Sequence, residues 1–81
     1  MNIGHRLAIY GWLGETDEYL SIMIKVWKGG YEERFVTIER LLYNPIEALR
    51  YVDEVRLITK VFVPTEEVLH TLNNLRKADK L

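Results

Sequence analysis

The chain has 81 residues, with 11 basic and 12 acidic side chains, a net charge of −1 and no cysteine. That length makes one domain with a small core, and the missing cysteines exclude a disulfide framework, a thiolate metal site and a Cys nucleophile. The near-balanced charge gives no global pull toward nucleic acid or an anionic membrane.

No run approaches the roughly 18 apolar residues of a membrane span, and the start Met1-Asn2-Ile3-Gly4-His5 lacks a signal pattern. The expectation is a soluble, cytoplasmic (intracellular) protein with no membrane partner. Gln is absent, Ser21 is the single serine, and the charged set leans on Glu, Arg and Lys. That bias is reported for proteins of heat-loving hosts, and with the small size it suits an archaeal or viral accessory protein.

In chain order, His5 to Leu13 is apolar at almost every position and rich in aromatic and branched residues, which predicts a first strand. Gly14 to Asp17 reads as a turn. Glu18 to Lys28 then alternates, with Leu20, Ile22, Ile24 and Val26 on one side, as a second strand does. Past Gly29-Gly30, Tyr31 to Glu39 reads as a third.

Asn44-Pro45-Ile46-Glu47 has an N-cap residue, a proline at the first helical position and an acid in the first turn. It predicts a short helix from Pro45 to about Asp53 that buries Ile46, Leu49 and Val52. Val55 to Val63 alternates again as a fourth strand. Pro64-Thr65-Glu66-Glu67 opens a last helix with an apolar stripe of Val68, Leu69, Leu72 and Leu75.

The predicted fold class is therefore α+β: a four-stranded, mostly antiparallel sheet in the order β-β-β-α-β-α, with both helices packed on one face. Register at the Gly29-Gly30 hairpin then decides the other face. A three-residue loop with a bulge at Gly30 sets Trp27 opposite Tyr31 and Met23 opposite Phe35, and keeps Ile22 on the core side. The bare face then carries Tyr10, Trp12, Tyr19, Met23, Trp27, Tyr31, Phe35 and Phe62, with Lys25 and Lys60 among its charges.

An uncovered aromatic face needs a cover, and three would serve: a helix or the Glu39 to Tyr43 segment wrapped over it, which makes the rings ordinary core, a second copy, or a nucleic acid. The reading taken from it is a small non-enzymatic interaction protein that forms a homodimer through that face. The alternative is a nucleic-acid-binding regulator that stacks single-stranded bases on the same rings, with Lys25 and Lys60 near the phosphates.

Catalysis finds little support in the residue pattern. Ser21 has no Gly-x-Ser-x-Gly elbow, and His5 and His70 stand alone, without metal-ligand spacing. The acidic pairs sit where turns and helix starts place them. No cofactor, metal or catalytic residue is expected.

Overall fold

A computed structural model describes residues 3–81, and its regular structure is helical throughout. In chain order the elements are α1 (Ile3–Ile9), α2 (Thr16–Val26), a π-helical turn (Trp27–Tyr31), α3 (Glu32–Phe35), α4 (Ile38–Leu42), α5 (Pro45–Thr59) and α6 (Thr65–Lys77). No strand occurs among the described residues, so the α+β class, the four-stranded sheet and the Gly30 hairpin bulge are all overturned.

The second expected strand and the third as far as Phe35 are instead one helical run, and Ile38 and Glu39 begin α4. The alternation of Leu20, Ile22, Ile24 and Val26 coincides with a second, helical spacing, that of Tyr19, Met23, Val26 and Trp27. It is this second set that is buried. Both periods fit a short apolar run, and packing chose the longer one. Asp17 and Glu18 in the first turn of α2 also favour the helix, because acids complement its positive end.

Gly29 and Gly30 lie inside this run, within the π-helical turn. Tyr19, Met23, Trp27 and Tyr31 recur every fourth residue, and on a plain α-helix such a row drifts by about 40° per step. One wider turn corrects that drift. The Glu32 N–H reaches back to the Trp27 carbonyl, and Trp27 and Tyr31 both stay on the core side. The run ends at Val36, whose φ of 67° is costly for a β-branched residue. The Thr37 N–H donates to the Phe35 carbonyl at 2.7 Å, closing a tight turn around it.

The helix starts were more legible. The Thr37 hydroxyl accepts from the Arg40 N–H, capping α4, and the Asn44 side chain accepts from the Glu47 N–H, capping α5. But α5 runs on into the expected fourth strand as far as Thr59, because Val55 and Thr59 continue the buried row of Ala48, Tyr51 and Val52. The Thr59 hydroxyl donates back to the Val55 carbonyl at 2.8 Å, which seats a β-branched polar residue in the last turn. Lys60 then stops the helix in the left-handed conformation. Helix α6 forms as its stripe predicts, with Val68, Leu72 and Leu75 buried and Leu69 at the margin.

The long helices pack as a bundle. Arg34, late in the α2–α3 run, pairs with Glu47, early in α5, while the Tyr51 hydroxyl of α5 donates to the Met23 carbonyl, so the two run antiparallel. Residues 60–64 turn the chain back for α6. The Arg6–Glu67 pair ties α1 to the start of α6, and the Arg76–Glu39 pair ties its end to α4. At the α1–α2 loop, Gly11 takes a φ of 97° beside Val61. No helix among the described residues is long and apolar enough to cross a membrane.

Candidate interaction surface

The aromatic set read from the sequence is brought together, but largely inward. Tyr19, Met23, Trp27 and Tyr31 are buried in the bundle core. Tyr31 meets Tyr51 edge-on at 5.4 Å and lies stacked with Phe35 at 6.3 Å, and its hydroxyl donates to Glu54 at 2.9 Å. Trp12 stands edge-on to Tyr19 at 5.5 Å and donates its indole N–H to the Glu15 carbonyl. Tyr10, Trp12 and Phe35 are half-buried at the margin of this core.

The remaining members of the set are on the surface and apart in role. Lys25 is exposed on α2, Lys60 is the left-handed end of α5, and Phe62 is exposed with the Arg56 guanidinium 4.4 Å from its ring centre. With no sheet among the described residues, no open platform of rings forms.

Burial also sets the chemistry of these hydroxyls. It pushes Tyr19 up to about 12, and it pushes Tyr31 up to about 12 with help from the hydrogen bond to the Glu54 carboxylate. Tyr51 is raised as well, again chiefly by burial. All three keep their protons at neutral pH, so none is a base there.

Catalytic geometry is equally thin. Ser21 is exposed on α2, and His5 and His70 are exposed on α1 and α6. A surface groove of about 740 Å³ lies between α1 and α6, with Arg6, Glu67 and His70 in its walls. Its walls include no serine or cysteine among the described residues, and Arg6 and Glu67 are paired with each other. No cluster of three metal-ligating side chains occurs among the described residues either.

The surface that sequence reasoning missed is the outer side of α5. Ile46 and Leu49, expected in the core, are 68% and 48% exposed, and Leu57 is 70% exposed. At about 100° per residue, Ile46, Arg50, Asp53 and Leu57 fall within a stripe about 60° wide, opposite the buried Val52, Val55 and Thr59. Helix α5 thus has a buried apolar side and an outer side with exposed apolar residues at both ends. Between the two apolar ends of the stripe sit Arg50 and Asp53, whose side chains are 67% and 69% exposed.

Other large apolar side chains are exposed too, among them Ile9, Leu13, Tyr43, Ile58 and Phe62. They lie on loops or at helix ends, as Ile46 and Leu57 themselves do, and single exposed apolar residues are ordinary there. The α5 stripe differs because its members share one helix face with opposite charges between them. No family model, curated protein or solved structure matches this chain.

Proposed function

We propose that this protein is a non-enzymatic interaction module that acts as a homodimer, joined through the outer face of α5. One observation carries this reading: Ile46, Leu49 and Leu57 stand in water on the longest helix, while that helix already has a complete buried face. A helix face with exposed apolar side chains at both of its ends favours a cover. A second copy is also the partner that would enlarge the core of a chain this small.

The nucleic-acid alternative depended on an open aromatic sheet face. With Trp27, Tyr19 and Tyr31 facing the core, nothing in the fold favours it over self-association.

Light scattering on a size-exclusion column tests the proposal. The expected molar mass is about twice the 9.6 kDa of one chain at tens of micromolar, falling toward 9.6 kDa on dilution. A mass of 9.6 kDa that persists to millimolar concentration overturns it.

A further inference from the structure

Taking the self-association above as its premise, we infer that two copies of α5 pair antiparallel about a twofold axis between Arg50 and Asp53. In that pairing Ile46 meets Leu57 of the second copy, and Arg50 meets its Asp53. The inference comes from the order of residues along the exposed stripe. Read in either direction, that order is apolar, charged, charged, apolar, and the two charges are opposite.

Geometry makes this order self-complementary. Ile46, Arg50, Asp53 and Leu57 follow a four-three-four spacing, which is the seam that lets two helices lie side by side. Ile46 and Leu57 are about 16 Å apart along the axis at roughly 1.5 Å per residue, and the midpoint between them is also the midpoint between Arg50 and Asp53. A twofold axis there uses one patch on both copies, as closed dimers do. It buries each apolar end on the other copy's opposite end and forms the Arg50–Asp53 contact twice.

The same residues reject the parallel arrangement. There, Arg50 would face Arg50 and Asp53 would face Asp53, with each pair of like charges held across the seam. Within the single chain, Arg50 contacts Glu47 at 3.2 Å and Asp53 contacts Arg56 at 3.4 Å. Arg50 and Asp53 are the exposed members of these contacts, at 67% and 69%, while Glu47 and Arg56 are 12% and 14% exposed, so the outer sides of both charged groups remain open to a partner.

Charge exchange between two variants tests the pairing. Arg50→Asp alone sets carboxylate against carboxylate at both cross-axis contacts, and Asp53→Arg alone sets guanidinium against guanidinium at both. Each is expected to weaken self-association by about tenfold or more. An equimolar mixture of the two variants is expected to recover dimer, because every cross-axis contact is then between opposite charges. Sedimentation equilibrium reads the association, and far-ultraviolet circular dichroism confirms that each variant keeps its helices.

Recovery of dimer in the mixture, and only in the mixture, supports the pairing. If both variants associate as tightly as the parent chain, the antiparallel α5 register is overturned while self-association stands. If both dissociate and their mixture does not recover, the opposite-charge register is likewise overturned. If the parent chain is itself monomeric, the premise fails and the pairing fails with it.

Discussion

The π-helical turn at Trp27–Tyr31 and the outer face of α5 treat their side chains in opposite ways. At the turn, both aromatic rings are buried and the outward positions are Lys28, Gly29 and Gly30, and a Cβ added at either glycine would meet nothing within 4 Å. On α5, the outward positions are Ile46, Arg50, Asp53 and Leu57, and the apolar ones are two-thirds exposed or more. An aromatic-rich segment is therefore ordinary core here, and the surface with a claim to function lies where the sequence looks like a plain capped helix. Composition alone points to the buried one of the two; helical phase separates them.

Truncation is the largest way to break this contrast. Trp27→Ala removes a ring that is 2% exposed, and it is expected to cost about 3–5 kcal/mol of folding stability in a denaturant titration. A loss below about 1 kcal/mol, within the range of surface changes, would mean that the ring is not core.

The glycines sharpen it from the other side. Gly29→Ala and Gly30→Ala fill open space, and neither residue has a positive φ, so each is expected to gain roughly 0.5–1 kcal/mol through better helix propensity. Thermal melts would read the gain as a raised Tm. Melts at which either alanine lowers Tm by several degrees would show that the wide turn itself needs glycine.

What the sequence made legible was local and terminal. The α5 start was readable because Asn44, Pro45 and Glu47 each act on their own backbone neighbourhood, and the α6 stripe because Val68, Leu72 and Leu75 fit only a helical period. The sheet was misread where two periods overlapped. In residues 18–28 the apolar residues satisfy spacing two and spacing four together, and Gly29-Gly30 then looked like a hairpin turn.

Ending α5 near Asp53 hid Leu57 from the helix that carries it, so the stripe it shares with Ile46 was not visible. Extending that helix by two turns would have shown Val55 and Thr59 on the inner row and Leu57 on the outer one.

The smallest expected effect on the fold belongs to the most informative variant. Leu57→Lys changes an exposed position and is expected to alter the stability of the single chain by less than about 0.5 kcal/mol. Its molar mass by light scattering, taken beside the parent chain at the same concentration, tests the account most directly. The expected result is about twice 9.6 kDa for the parent and 9.6 kDa for the variant, with unchanged helical content. Equal masses for the two chains, at either value, would contradict the assignment of α5 as the self-association surface.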